Sequence, residues 1–345
     1  MVAAFARPDL IDFAAFVDNA RAWLDGQPYP DESRDPNAPH VILLFLPFAG
    51  LSRTAGLTIW TLVSYACLAW TIRMVLRELD LRPSRPLAVT ALALLLAAPP
   101  MLDVVVNGNM IWPLMAVFTL TWRWARHGRD HAAAAGLGLL ITAKPFLGVL
   151  LLLYVVRRAW APTAIAVATA AGTLVIAVWV TGLDAWIAWY HALQRISWYD
   201  VRFNASVLGV LARVGQQDVV LWGVTSVLVA GLTAWMLRRP RPRVDLDWAV
   251  VLLASLLMAP LGWRYYLCFG IGPLIAVWME NAGPEGPAYG RTLALLALAW
   301  SPSLALPGAA PILQATAGSL PFWILAIGWI ALATSRARSS PSGRR

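Results

Sequence analysis

Lysine is almost absent from this sequence. The chain carries 27 basic residues in 345, and only Lys144 is a lysine. It interrupts an apolar run between Ile141-Thr142-Ala143 and Pro145-Phe146-Leu147. A lone ammonium within membrane-depth sequence is energetically costly and usually functional. The alternative is that its long apolar stem carries the ammonium to a membrane interface. The loops around Lys144 fix which side of the membrane it faces, and this favours a functional role for it.

Charge of either sign is also scarce. Charged residues make up 13% of the chain, where a soluble protein would carry about 25%. The apolar residues come in long blocks, which excludes a soluble domain and predicts an all-α polytopic membrane protein. A transmembrane β-barrel would instead show short segments of alternating apolar and polar residues, which this sequence does not have. The arginines cluster at the ends of the apolar blocks, so the net charge of +9 indicates membrane topology and no nucleic acid.

Cysteine is limited to Cys67 and Cys268, both in apolar segments. This excludes a disulfide framework and a cysteine zinc site. A Walker loop, a histidine-rich cluster and a Ser-His-Asp arrangement are likewise missing, so we expect no metal and no cofactor. Residues 1–40 hold no apolar run of the signal-peptide kind, and we expect no cleavable signal.

The arginine clusters alternate with the apolar segments and predict about eleven crossings. Because basic loops stay in the cytoplasm, the clusters fix which end of each span faces inside. The segment 39–51 is apolar but too short to cross easily. The predicted spans are 56–76, 86–100, 110–125, 131–157, 160–181, 219–237, 246–279, 291–306 and 318–335.

Two of these segments are interpreted as hairpins of short helices, 131–157 and 246–279. Pro145 disfavours helical geometry at Lys144 and predicts a break there. A hairpin returns Arg157 and Arg158 to the cytoplasmic side, whereas a single crossing would reverse every later loop. The second break is expected near Ala259-Pro260, with Arg264 at its tip.

The chain is treated as three segments. Residues 1–55 form an extracytoplasmic acidic segment with an interfacial helix, residues 56–335 form the transmembrane domain with outer loop 182–217, and residues 336–345 form a basic cytoplasmic tail. The turn at 101–109 and both hairpin tips share the outer face with the acidic segment. We therefore expect the chemistry on the extracytoplasmic side of the cell membrane.

Asp12 leads an amphipathic stretch with apolar residues at 13, 16, 17, 20 and 24. It is a candidate general base. Sequence alone favours helix capping or solvation for it. Tyr29 and His40 follow before the apolar segments begin, and His40 taken alone fits a structural or interfacial residue better.

Further polar residues fall in the outer turns. Asp103 and Asn107-Gly108-Asn109 lie between two apolar spans and fit a simple loop. Asn204 or Ser206 suits the cap of a helix that ends at Arg213. Lys144 and Arg264, at the tips of the two broken segments, suit one shared phosphate, and a carboxylate partner for each is the competing interpretation.

Together these residues resemble glycosyltransferase family 87, membrane enzymes of the GT-C type that use polyprenyl-phosphate sugars. The likeness spans roughly residues 10–280 and depends on the order of motifs that are individually weak. Two departures stand out: Asn109 replaces the usual glutamine, and Trp263-Arg264-Tyr265-Tyr266 lacks a histidine that the family often has. The stretches that carry the resemblance are Asp12 to Tyr29-Pro30, Asn107-Gly108-Asn109, Ala135-Gly136 through Lys144-Pro145 to Arg157-Arg158, and Asn204 to Gly209 with Arg213.

The resemblance implies a GT-C-like bundle that transfers a hexose, with mannose in alpha linkage preferred, from a polyprenyl-phosphate sugar to a glycolipid or glycan, with inversion. Asp12 would be the base, and Lys144 with Arg264 would bind the donor phosphate. Membrane lipids and the lipid-linked donor are the expected partners. The residues implied in substrate binding are Tyr29, His40, Asn109, Asn204 and Arg213.

Three alternatives remain open at this level. An arabinofuranosyl donor would keep the enzyme class. A transporter or lipid flippase predicts midplane polar residues and an internal repeat. An inactive scaffold of an envelope-building complex is the third, since the family's usual leading transmembrane helix is missing ahead of Asp12.

Overall fold

The computed structural model describes residues 11–27, 37–81, 93, 96–197, 199–216, 218–238, 243–280, 300, 303–304, 306 and 308–334. Within these ranges the chain is all-α and contains no strand. Three 3₁₀ segments, Pro145–Leu151, Arg264–Gly270 and Ala317–Ser319, interrupt the helices. The helices are α1 Ile11–Leu24, α2 Val41–Ala49, α3 Arg53–Glu78, α4 Pro99–Asn107, α5 Ile111–Arg126, α6 Asp130–Ala143, α7 Leu152–Val155, α8 Trp160–Thr181, α9 Leu183–Gln194, α10 Val207–Arg213, α11 Val219–Leu237, α12 Val244–Met258, α13 Ile271–Met279, α14 Pro311–Ala315 and α15 Leu320–Thr334.

Four described stretches are long and apolar enough to cross a membrane: α3, α8, α11 and Pro311–Thr334. Large apolar side chains such as Trp179, 83% exposed, and Val220, 74% exposed, point away from the protein on α8 and α11. Such surfaces suit lipid. The protein is therefore an all-α membrane protein, as its composition predicts. The figure of about eleven crossings stays a prediction, because most of 86–100 and 291–306 and the whole tail 336–345 lie outside the described residues.

Both predicted helix breaks are present. Helix α6 ends at Ala143, and Lys144 takes an extended conformation with φ −142° and ψ 91°. Pro145 then opens a 3₁₀ segment, as its effect on the preceding residue leads one to expect. In the second segment α12 ends at Met258, and the extended Trp263 precedes the next 3₁₀ segment.

Ion pairs at the start of α12 support the hairpin interpretation of 131–157. Arg157, after the Lys144 break, pairs with Asp247. Arg126, before α6, pairs with Asp245 at 3.0 Å. The two carboxylates are two positions apart in the first turn of one helix. The chain therefore leaves Arg126, passes Lys144 and returns to the same end of the bundle.

Helix α1 is held in a hydrophobic cluster separate from the main core. Its Phe13 and Phe16 are buried against α2 and α3, and the ring of Phe16 lies 4.6 Å from that of Phe45. Arg21 donates from Nε to the carbonyl of Ala49 and from Nη2 to that of Leu51, at 2.9 and 3.0 Å. Ala49 is the last residue of α2 and Leu51 lies just beyond it, and carbonyls at the end of a helix lack helical partners. Packing and capping together fix α1 on α2.

Candidate active site

Asp12 lies in the first turn of α1, beside an amide from another part of the chain. Asn109 Nδ2 donates to Asp12 Oδ2 at 2.6 Å across 97 positions. Asp12 Oδ1 has no hydrogen-bond partner among the described residues. The half-buried carboxylate therefore keeps one oxygen with which to accept a proton.

The turn before α5 presents the Asn109 amide. Gly108 has φ +65°, a conformation that glycine adopts without strain. Asn109 is only 4% exposed, and its Oδ1 accepts from Ile111 N at 3.1 Å. With the oxygen held by the backbone, the amide nitrogen is directed to Asp12. The predicted loop residue is therefore an ordered part of the site.

Burial raises the pKa of Asp12 above the ordinary aspartate value, and this is the dominant effect. The hydrogen bond from Asn109 and the positive charge of Lys144 act in the opposite direction and lower that pKa. The carboxylate is consequently a stronger base than a solvated aspartate, while two neighbours favour its ionised form.

Lys144 is buried at 6% exposure, and its ammonium points into the protein. Nζ donates to Asn37 Oδ1 at 2.6 Å and lies 5.4 Å from the centre of the Tyr266 ring. The extended backbone at the α6 break directs the side chain to this place. Lys144 therefore lies close enough to Asp12 for its positive charge to influence the ionisation of that carboxyl group.

Arg264 makes the carboxylate contact that the competing interpretation expects. Its Nε and Nη2 donate to the two carboxylate oxygens of Asp103 at 2.7 and 3.1 Å. Nη1 donates to Ser303 Oγ at 2.9 Å, and the guanidinium lies 5.0 Å from the centre of the Phe203 ring. Asp103 therefore compensates much of the positive charge of Arg264.

His40 precedes α2 and stacks on Trp186, with ring centroids 5.7 Å apart and an interplanar angle of 10°. Both ring nitrogens are buried, and neither has a hydrogen-bond partner among the residues that the structure describes. Burial, and then the charge of Lys144, lower the pKa of His40, so the imidazole is neutral at neutral pH. It offers one donor and one acceptor at the edge of the site.

Asn204 joins the outer loop to the second broken segment. Its Nδ2 donates to the carbonyls of Tyr199 and Pro260, each at 3.0 Å. Its Oδ1 accepts from Ser206 N at 3.3 Å and Gly262 N at 2.8 Å. The amide is fully buried and fully bonded to backbone. These contacts are structural, and the expected substrate contact of Asn204 stays a prediction.

Arg213 serves the same loop. It donates to Ser319 Oγ at 2.8 Å and to the carbonyls of Val201 and Asn204 at 3.1 Å. Burial lowers the pKa of Arg213 to about 10. Ser206 caps α10 by accepting from Gly209 N at 3.1 Å, which confirms one of the two caps expected from sequence. Substrate binding by Arg213 stays a prediction, and Tyr29 lies outside the described residues.

The structure thus brings Asp12, Asn109, Lys144 and His40 into one neighbourhood, and it sets Arg264 beside Asp103. Sequence reasoning gave no role to Asn37 or Trp60, which contact this neighbourhood. Asn37 lies 107 positions from Lys144, and no local pattern indicates such a pair.

The fold is that of an integral helical membrane protein with ionisable side chains gathered at one buried site. The sequence model of glycosyltransferase family 87 matches residues 37–261, more than half of the chain, and the chain belongs to that family. It is therefore a membrane glycosyltransferase. The matched stretch contains His40, Asn109, Lys144, Asn204 and Arg213, while Asp12, Tyr29 and Arg264 lie outside it.

Two relatives extend the likeness over nearly the whole chain. A protein from Mycobacterium tuberculosis (strain ATCC 25618 / H37Rv) is 26% identical over 97% of this chain and 87% of its own length. One from Mycolicibacterium smegmatis (strain ATCC 700084 / mc(2)155) is 25% identical over 93% of this chain and 83% of its own. Each is named a polyprenol-phosphate-mannose-dependent alpha-(1-2)-phosphatidylinositol mannoside mannosyltransferase. No solved structure matches the chain.

Proposed function

We propose that this glycosyltransferase moves mannose from a polyprenyl-phosphate donor to a hydroxyl of a glycolipid, in alpha linkage and with inversion, at the outer face of the cell membrane. The names of both relatives support the donor and the glycolipid class of acceptor. The observation that carries the proposal is the contact of Asp12 with Asn109, next to the buried Lys144.

In the proposed reaction one glycosidic bond forms, one bond to phosphate breaks and one proton is transferred. The acceptor oxygen forms a bond to the anomeric carbon while the bond from that carbon to the phosphate oxygen breaks. The acceptor proton passes to Asp12 Oδ1, and the electron pair of the broken bond stays with polyprenyl phosphate. Attack from the face opposite the leaving group inverts the anomeric centre. A positioned base contributes about 10²- to 10⁴-fold to such a step.

The leaving phosphate needs charge stabilisation more than a proton. Lys144 supplies it, because its ammonium is buried and water does not screen it. Asn37 and the Tyr266 ring hold the ammonium in place for this role. Arg264 adds long-range positive potential, although Asp103 offsets most of it.

The outer-face orientation rests on charge distribution. Arginines 123, 126, 157 and 243 collect with their carboxylate partners at one end of the bundle. Basic segments of this kind stay in the cytoplasm. Lys144 lies at the opposite turn of the segment that ends at Arg157, so the reaction is assigned to the outside.

The test is sugar transfer in isolated membranes, with radiolabelled polyprenyl-phosphate mannose and native lipid acceptors. We compare wild type with Asp12→Asn and with Asp25→Asn, a matched control at an exposed position just after the end of the same helix. Transfer should fall at least about 100-fold in the first variant and remain in the second. Full activity of Asp12→Asn at equal protein level would remove Asp12 as the base.

The donor sugar is tested in the same membranes. A second reaction supplies polyprenyl-phosphate arabinofuranose at the same concentration. Transfer of mannose alone supports the proposal. If only arabinofuranose is transferred, and Asp12→Asn abolishes that transfer, the proposed donor sugar is wrong and the proposed mechanism stands.

A further inference from the structure

Trp60 of α3 contacts the neighbours of both members of the Asp12–Asn109 pair. Its indole Nε1 donates to the carbonyl of Gly108 at 2.9 Å. Its ring stacks on Phe13, with centroids 6.4 Å apart and an interplanar angle of 30°. Gly108 directly precedes Asn109, and Phe13 directly follows Asp12. Trp60 is only 3% exposed, so neither contact competes with solvent.

The Gly108 contact fixes the turn that presents Asn109. The glycine has a positive φ, and the next peptide unit must be oriented for Asn109 N to donate to the carbonyl of Val104 at 3.1 Å. A hydrogen bond to the Gly108 carbonyl holds the plane of that peptide. The direction of the Asn109 amide toward Asp12 therefore depends on the indole N–H.

The Phe13 contact fixes the rotation of α1. Besides Trp60, the Phe13 ring packs edge-on against Phe45 and Phe48, at 6.1 and 5.9 Å. Successive side chains of a helix are separated by about 100° of rotation, so a fixed Phe13 also fixes the direction of Asp12. One side chain thus locates the acceptor and the donor of the same hydrogen bond.

We propose that Trp60 is a positioning residue for the proposed reaction, holding Asn109 against Asp12 through Gly108 and Phe13. The inference rests on the proposed function, since it takes Asp12 to be the base. The competing explanation is that Trp60 only fills space in the aromatic cluster. In that case its loss would reduce the amount of folded protein and leave the chemistry of Asp12 unchanged.

The test is Trp60→Phe in the full chain, which removes the N–H and keeps an aromatic ring. Trp222→Phe is the matched control, because Trp222 Nε1 donates to the carbonyl of Met258 at 3.0 Å, away from Asp12. The readout is kcat/KM for mannose transfer as a function of pH. The hydrogen bond from Asn109 lowers the pKa of Asp12. Loosening that hydrogen bond should therefore move the acid limb of the profile to higher pH.

We expect Trp60→Phe to lose roughly tenfold in kcat with little change in the donor KM, and to shift the acid limb in the same direction as Asn109→Ala. Trp222→Phe should leave the limb in place. The double variant Trp60→Phe/Asn109→Ala should have the same kcat as Asn109→Ala alone, because both changes act on the same hydrogen bond between Asn109 and Asp12. An unshifted limb, or losses that multiply in the double variant, would overturn the inference.

Phe13→Leu provides a second route should Trp60→Phe fail to accumulate. It removes the stacking contact and keeps an apolar side chain, and the acid limb should again move to higher pH. An unmoved limb would count against the inference. If Asp12→Asn keeps full transfer, the proposed base itself is wrong. If Asp12→Asn is inactive while Trp60→Phe and Phe13→Leu keep the wild-type profile, only the role of Trp60 is wrong.

Discussion

Arg264 and Asp103 form a two-point ion pair between residues 161 positions apart in the sequence. Asp103 belongs to α4, which leads into the turn of Asn109, while Arg264 follows the break of the second hairpin. The Arg264 side chain is only 10% exposed. The pair therefore anchors that break to the helix that leads into the Asn109 turn of the candidate site.

The first prediction concerns this pair. Arg264→Gln should lower the free energy of unfolding by about 1–3 kcal/mol, because it leaves the Asp103 carboxylate without its cation. Asp103→Asn should lower it by a similar amount, and the double variant should recover part of the loss. Thermal melts of the four proteins in one detergent measure the cycle. Strictly additive losses would show that the contact contributes nothing.

The same cycle separates the two interpretations of Arg264. If its main task is to bind donor phosphate, Asp103→Asn releases the guanidinium and the donor KM should fall. We expect the donor KM to stay level or rise, because the Asp103–Arg264 ion pair holds the break of the second hairpin in position. Initial rates against donor concentration decide between the two outcomes.

A second prediction concerns Lys144. Lys144→Gln should reduce transfer about 100-fold, since it removes the buried positive charge that is proposed to stabilise the leaving phosphate. It should also raise the pKa of Asp12, because Lys144 now lowers it, and move the acid limb of the pH profile upward. Lys144→Arg should rescue little, because a planar guanidinium does not replace a compact ammonium between Asn37 and Tyr266.

The control for Lys144 is Arg73→Gln, which removes an exposed cation from α3. It should leave both rate and profile unchanged. Equal losses in the two variants would point to a general effect of net charge and against a local role of Lys144.

A third prediction follows from the burial of Asp12. Its pKa is raised in the folded protein, so the folded state binds the proton more readily than the unfolded chain. Stability is therefore lost as pH rises from the ordinary aspartate range to the raised pKa, and the loss persists at neutral pH. Asp12→Asn, which cannot ionise, should melt at a higher temperature than wild type at pH 7.

That difference should shrink near pH 4, because protonation of the buried carboxyl removes the cost of its charge. Thermal melts at both pH values measure it. A lower melting temperature of Asp12→Asn at both values would mean that the carboxylate stabilises the fold and that burial is not the dominant effect.

Local features of this chain could be predicted from sequence, and distant contacts could not. Pro145 acts on the adjacent Lys144, so the break was predictable, and the spacing of apolar residues after Asp12 predicted α1. The bond from Lys144 to Asn37 and the pair Asp103–Arg264 depend on how separate helices pack. No spacing rule links residues 107 or 161 positions apart. The charge of Arg264 is visible in the sequence and a carboxylate partner is one of its two interpretations, but no pattern identifies Asp103 as that partner.

A fourth prediction tests the packing of α6 on α8. A Cβ on Gly138 would lie 2.5 Å from the carbonyl oxygen of Ala166 and 2.6 Å from the Thr169 Cβ. Gly138→Ala should therefore force the helices apart and cost about 1–3 kcal/mol. Gly172→Ala in α8 is the matched control, because nothing lies within 4 Å of its Cβ position. It should be neutral or slightly stabilising.

The comparison is made by thermal melts of the two alanine variants in the same detergent. A Gly138→Ala protein as stable as Gly172→Ala would mean that the two helices separate at no energetic cost.

The single lysine has a practical chemical consequence. Every other basic side chain is an arginine, so an amine-directed acylating reagent meets only one reactive side chain in the protein. That side chain is closed to bulk solvent at 6% exposure and lies where the donor phosphate is proposed to bind. The extent of acylation, read by mass spectrometry of the 144 peptide, thus becomes a direct gauge of how often the site opens and of whether a bound lipid donor protects it.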